Sequence, residues 1–130
     1  MIFIELVTVL ALIQYLFFGL MVAQARGKFG VKAPATTGHE QFERAYRVQM
    51  NTLEVMVIFI PALWLASRYW SPVAMSGIGA VYLVGRVLYF RAYTKDPASR
   101  GIGFGLSLLP AVALIVATLA GIGLALLHGN

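Results

Sequence analysis

Phe42-Glu-Arg-Ala-Tyr-Arg-Val-Gln-Met-Asn-Thr-Leu-Glu-Val-Met-Val-Ile-Phe-Ile-Pro61 begins polar and ends apolar. It reads as a single helix that enters hydrocarbon partway along its length. Arg47, Asn51 and Glu54 stand at i, i+4 and i+7, so they share one face. Val55, Met56, Val57, Ile58, Phe59 and Ile60 follow without a polar break. A guanidinium, an amide and a carboxylate therefore sit at the edge of an apolar span, where ionisable groups are costly and mark functional sites by default. The same residues would also serve as an internal ion pair that locks two helices together, and this stretch alone leaves both readings open.

The rest of the chain has the same character. Of its 130 residues, 60% are hydrophobic and 12% are charged, against about 25% charged in a soluble domain. The mean hydropathy is +0.82. Four apolar runs each approach the roughly 20 residues that span a bilayer. They predict spans over about residues 2–25, 42–69, 73–93 and 102–127, all within one domain covering 1–130. The expected class is all-α, a polytopic integral membrane protein. No basic residue precedes the first run, which is expected to be a retained span and not a cleaved signal. Gln14, in the middle of that span, is expected to face another helix. Pro61 predicts a kink in the second span. Trp64, Tyr69 and Trp70 suit the aromatic belt at its far end, and for Tyr82 and Arg91 the sequence leaves an ordinary interface-anchor role open beside a place in a polar site. In the fourth span Ala113, Ala117, Gly121 and Ala125 form a stripe of small residues that predicts close helix packing.

Several chemistries find no support. There is no cysteine, hence no disulfide framework and no thiol nucleophile in the protein itself. His39 and His128 are far apart and lack ligand-spaced companions, so no metal site is expected. His39 reads as a loop residue, with Thr36 or Thr37 as candidates to cap the following turn. Gly101-Ile-Gly-Phe-Gly105 has no preceding strand and no following Lys-Ser/Thr, so it reads as packing or flexibility and not as a phosphate loop. The net charge of +5 lies beside the spans, where membrane topology explains it, and nucleic acid is not an expected partner.

Nine of the ten basic residues fall at one end of the bundle: Arg26, Lys28, Lys32, Arg44, Arg47, Arg86, Arg91, Lys95 and Arg100, with only Arg68 toward the other. The positive-inside rule makes that end cytoplasmic and places both termini on the opposite side. The second span enters there with Arg47, Asn51 and Glu54. The third leaves there with Arg86, Tyr89 and Tyr93 at i, i+3 and i+7, and Arg100 opens the fourth at the same level. Such a site is cationic on balance, carries two phenols and borders lipid. Arginine forks grip carboxylates bidentately, a carboxylate suits an ammonium group, and an arginine near a thiol favours the thiolate. These residue types suit a zwitterionic, thiol-bearing peptide and a lipophilic electrophile.

The blocks Thr36-Thr-Gly38, Phe42 to Glu54 and Val81-Tyr-Leu-Val-Gly-Arg-Val-Leu-Tyr-Phe-Arg-Ala-Tyr93, in this order and spacing, resemble the MAPEG family, the membrane-associated proteins of eicosanoid and glutathione metabolism. The resemblance runs from about Leu16 to Gly121 and is strongest to the branch of microsomal glutathione transferases and the leukotriene-C synthase. It implies an integral membrane four-helix bundle that assembles as a homotrimer and binds glutathione, as co-substrate and without a metal, at subunit interfaces toward the cytoplasm. The family's glutathione-binding positions match Arg26, Arg47, Gln49, Asn51, Glu54, Tyr89 and Tyr93. Its thiolate-stabilising arginine matches Arg100, the implied catalytic residue.

The implied activity is transfer of glutathione to lipophilic electrophiles, with glutathione-dependent lipid peroxidase activity beside it. Partners would be membrane lipid, glutathione and the electrophile, and the setting a bacterial inner membrane with periplasmic termini. The family also holds glutathione-dependent isomerases of the prostaglandin E synthase type and a non-catalytic lipid-binding protein that activates 5-lipoxygenase. Retention of Arg100 argues against the non-catalytic reading. Two positions depart from the branch: Gly27 stands where the synthase has a second arginine, and Val55 where it has a binding-site tyrosine.

Overall fold

The computed structural model describes residues 1–129, which form helices α1 (Ile2–Phe29), α2 (Glu40–Tyr69), α3 (Pro72–Lys95) and α4 (Gly101–Leu127), with a 3₁₀ turn at Pro97–Ser99 before the last. All four helices are long and apolar enough to cross a membrane. The protein is an integral membrane four-helix bundle.

The helix boundaries follow from local chemistry. α1 runs past Ala25 through Arg26 and Lys28 to Phe29, because cations in a last turn complement the negative helix end. Gly30 stops it at φ 69°, a left-handed conformation that costs glycine little, and the next amide, Val31 N–H, still donates to Arg26 O at 3.0 Å. α2 is capped by His39 and not by Thr36 or Thr37: its Nδ1 accepts from Gln41 N–H at 3.1 Å. The same imidazole stacks on Phe29, with ring centroids 3.9 Å apart. α3 begins at Pro72, where a missing N–H loses nothing, and Ser71 Oγ accepts from Ala74 N–H at 3.3 Å. α2 continues helical through Pro61, and α4 through Pro110.

The core lies between the helices at mid-bundle, around Ile4, Phe59, Leu63, Tyr82, Ala111 and Leu114. Tyr82 is not an interface anchor. It is fully buried and stacks on Phe59 with centroids 3.8 Å apart. Leucine, isoleucine, valine and phenylalanine side chains such as Leu6, Ile13, Leu20, Val116 and Leu119 point outward, as a lipid-facing surface requires.

α3 and α4 pack more extensively than any other pair, and glycine makes their approach possible. A Cβ on Gly85 would lie 2.5 Å from the Leu106 carbonyl carbon. That carbonyl is the one Pro110, having no N–H, cannot bond. A Cβ on Gly103 would collide with the Tyr89 backbone. The buried face of α4 is Gly103, Ser107, Pro110, Ala111, Leu114, Thr118 and Gly121. Of the small-residue stripe expected from the sequence only Gly121 is buried, against Tyr69, while Ala113 is exposed.

Polar ties fix the remaining helix pairs. Gln14 Nε2 donates to Leu83 O at 3.0 Å, so it does face another helix. Trp64 Nε1 donates to Thr8 Oγ1 at 2.9 Å and Trp70 Nε1 to Ala117 O at 2.7 Å. Arg44 pairs with Glu40 and donates to the last carbonyls of α3, Thr94 O at 3.2 Å and Lys95 O at 3.1 Å. This last tie holds the start of α2 against the end of α3, which is the end of the bundle where the polar faces meet.

Candidate functional site

A cavity of about 730 Å³ opens at that end, lined by Arg47 and Asn51 of α2, Tyr89 and Tyr93 of α3, Ala98 of the 3₁₀ turn, and Arg100, Gly101 and Phe104 at the start of α4. Its size suits a small organic ligand.

Each wall has a local cause. Arg47 and Asn51 are one turn apart on α2, and so are Tyr89 and Tyr93 on α3, whose rings stack with centroids 5.4 Å apart. Asp96 Oδ1 accepts from Ala98 N–H at 3.1 Å and shapes the turn that swings the chain from α3 to α4. Arg100 follows, donating from Nη1 to Pro97 O at 2.9 Å and otherwise exposed. No side chain caps the first turn of α4, so its amides add a partial positive charge beside Arg100. Gly103 lets α4 come in against Tyr89, which brings Phe104 to the wall.

Glu54 does not line the cavity. It reaches it through Arg47, whose Nη1 lies 3.0 Å from Glu54 Oε1. Both side chains are about half exposed, 49% and 57%, and such a pair contributes at most about 1 kcal/mol, so it can open to a ligand.

Arg86 shares the helical register of Tyr89 and Tyr93 but lies beneath the cavity, with no exposure at all. Its Nη1 donates to Asn51 Oδ1 at 2.9 Å and to Ser107 Oγ at 3.2 Å, and its Nη2 to Thr52 Oγ1 at 2.7 Å. Its guanidinium carbon lies 4.4 Å from the Tyr89 ring centroid. Thr52 and Ser107 had no mark in the sequence beyond being hydroxyl residues inside spans.

Arg26 and Gln49 are not among the residues around this cavity. Arg26 ties down the first loop, donating to Ala35 O at 2.7 Å and sitting 4.6 Å from the Phe42 ring centroid. Gln49 packs against Gly19 of α1, where an added Cβ would come 3.0 Å from its Nε2. Gly27 meets open space, and Val55 is buried in the central core. Gly101 and Phe104 belong to the Gly101–Gly105 run that the sequence assigned to packing or flexibility, and both line the cavity. Phe104 is one helical turn beyond Arg100, and that spacing would have pointed to it. Among the described residues no three His, Asp or Glu side chains gather to hold a metal ion.

The arrangement offers cations, phenols and an amide to an anionic, hydrogen-bonding ligand, next to a lipid-facing surface. The model of the MAPEG family matches residues 4–120. An uncharacterised protein of Synechocystis sp. is 45% identical over 117 residues, covering 90% of this chain and 85% of its own. Microsomal glutathione S-transferase 2 of Homo sapiens is 40% identical over 119 residues, covering 92% of this chain and 80% of its own. Leukotriene C4 synthase of Bos taurus is 38% identical over 94 residues, covering 72% of this chain and 63% of its own.

Proposed function

Because the chain belongs to the MAPEG family, we propose that it is a membrane-bound glutathione transferase that conjugates glutathione to lipophilic electrophiles. The observation that carries this reading is the gathering of Arg47, Asn51, Tyr89, Tyr93 and Arg100 around one cavity. The similarity to microsomal glutathione S-transferase 2 supports the choice of substrate.

In this reading Arg47 and Asn51 hold acceptor groups of the peptide, and Glu54 holds its ammonium. Tyr89 and Tyr93 donate along the peptide. Arg100 stabilises the sulfur as thiolate, which an adjacent cation favours. The thiolate attacks the electrophilic carbon, a carbon–sulfur bond forms, and the leaving group departs with the bonding pair or, for an epoxide, stays attached as an alkoxide that takes a proton from water. The outward apolar faces of the helices bring the electrophile from the bilayer.

A homotrimer completes the site. Arg26 and Gln49 lie elsewhere in the single chain, and a neighbouring subunit would supply them. The cavity opens at the end bearing nine of the ten basic residues, which by the positive-inside rule faces the cytoplasm. The proposed location is a bacterial inner membrane.

The test is an ultraviolet difference titration of the detergent-solubilised protein with glutathione, using an S-alkyl glutathione as blank. A thiolate band at neutral pH is expected. Binding of the S-alkyl compound without that band would mean a glutathione site that does not activate sulfur, and would sink the transferase reading.

A further inference from the structure

Arg86 is a cation buried in the bundle and surrounded by neutral groups. Its nearest polar partners are Asn51, Thr52 and Ser107, none of them a carboxylate. An apolar residue of similar volume would fill this space at lower desolvation cost, so stability does not account for an arginine here.

A guanidinium has donors and no acceptor. Thr52 Oγ1 donates to Val48 O and Ser107 Oγ to Gly103 O, each at 2.7 Å, so both hydroxyls turn lone pairs to Arg86. Asn51 must do the same. With its NH2 toward Arg86, donors would face donors in a buried site, so the oxygen at 2.9 Å is the only amide orientation that bonds. The Asn51 NH2 then has no partner among the described residues, and Asn51 lines the cavity.

We infer that Arg86 is a positioning residue: it fixes the Asn51 amide with its NH2 turned into the cavity, so that the ligand group bound at Asn51 is a hydrogen-bond acceptor, a carboxylate or a peptide carbonyl. The inference rests on the proposed glutathione site. It divides the α2 face by chemistry, with Arg47 and Asn51 serving acceptors and Glu54 serving the ammonium.

The test measures binding of S-hexyl glutathione by calorimetry to the intact protein, Arg86→Met, Asn51→Ala and the double variant. The two single variants are expected to weaken binding about tenfold, the scale of one lost hydrogen bond to a charged acceptor. The double variant should bind like Asn51→Ala alone, because Arg86 acts through Asn51. Unchanged binding in Arg86→Met, or losses that simply add, would overturn the inference.

A second variant keeps the buried cation. Asn51→Asp still offers an oxygen to the guanidinium but has no NH2 for the ligand, so it should stay folded, as thermal melting would show, and lose S-hexyl glutathione binding. Binding retained in this variant would overturn the inference. If the unaltered protein fails to bind S-hexyl glutathione, the proposed function falls and takes this inference with it, a result visible without any variant.

Discussion

Arg47 Nη1 and Glu54 Oε1 meet at 3.0 Å across two turns of α2, with Asn51 between them on the same face. The pair is half exposed at the rim of the cavity. An arginine bound there to its own helix is held ready in one rotamer, and a zwitterionic ligand can take over both partners at once. Its carboxylate replaces Glu54 on Arg47, and its ammonium replaces Arg47 on Glu54.

Glu54→Gln separates these roles. Stability should change by less than about 1 kcal/mol, because the pair is exposed to solvent. Glutathione should bind about tenfold more weakly, from loss of the charge-assisted bond to its ammonium. An analogue without the amino group should bind the variant and the unaltered protein alike. Calorimetry with both ligands checks this, and an equal loss for both would remove Glu54 from ammonium recognition.

Arg100 is exposed and bonded only to Pro97 O within its own turn, so its removal should leave the fold intact. Arg100→Ala should still bind S-hexyl glutathione but lose the thiolate band. Turnover should fall about 10²–10³-fold, the range for one lost donor to a developing anion. Single-turnover kinetics with a chromogenic electrophile would measure it. Turnover equal to that of the unaltered protein would take Arg100 out of the chemistry.

The sequence made the four spans and most of the cavity wall legible. Span length follows from hydrocarbon thickness, and Arg47 with Asn51, like Tyr89 with Tyr93, follows from the helical repeat. The α4 packing face was misread because residues spaced by four drift about 40° round a helix at each step. The observed face, Gly103, Ser107, Ala111, Leu114, Thr118 and Gly121, mixes spacings of four and three and so stays in place. Arg86 was misjudged for a different reason. Register gives a residue's face but not its depth, and the hydroxyls of Thr52 and Ser107 that seal it come from two other helices. His39 escaped notice as a cap because an imidazole is not among the usual capping side chains.

Gly103 should prove the most sensitive glycine of α4. Gly103→Ala drives a methyl group into the Tyr89 backbone, an overpacking that costs about 1–3 kcal/mol, and it should displace Tyr89 from the cavity wall. Gly105→Ala meets open space and should instead stabilise α4 by about 0.5–1 kcal/mol. Thermal melting and glutathione affinity measured on both variants would decide. A Gly103→Ala protein with unchanged Tm and affinity would mean that α3 and α4 do not approach this closely.

Gln49 offers a test of whether sites are shared between subunits. In one chain it packs against Gly19, away from the cavity that holds Arg100. If a neighbour's Gln49 completes each site, Gln49→Ala and Arg100→Ala each disable every site of their own trimers. Co-expressing the two variants should then restore activity, because mixed trimers bring an intact Gln49 from one subunit to an intact Arg100 from the next. With random assortment of equal amounts, about one site in four is complete. The comparison is the specific activity of the co-purified mixture, carrying two distinct tags, against each variant alone. A mixture no more active than its parents would place Gln49 and Arg100 in separate roles, or confine each site to a single chain.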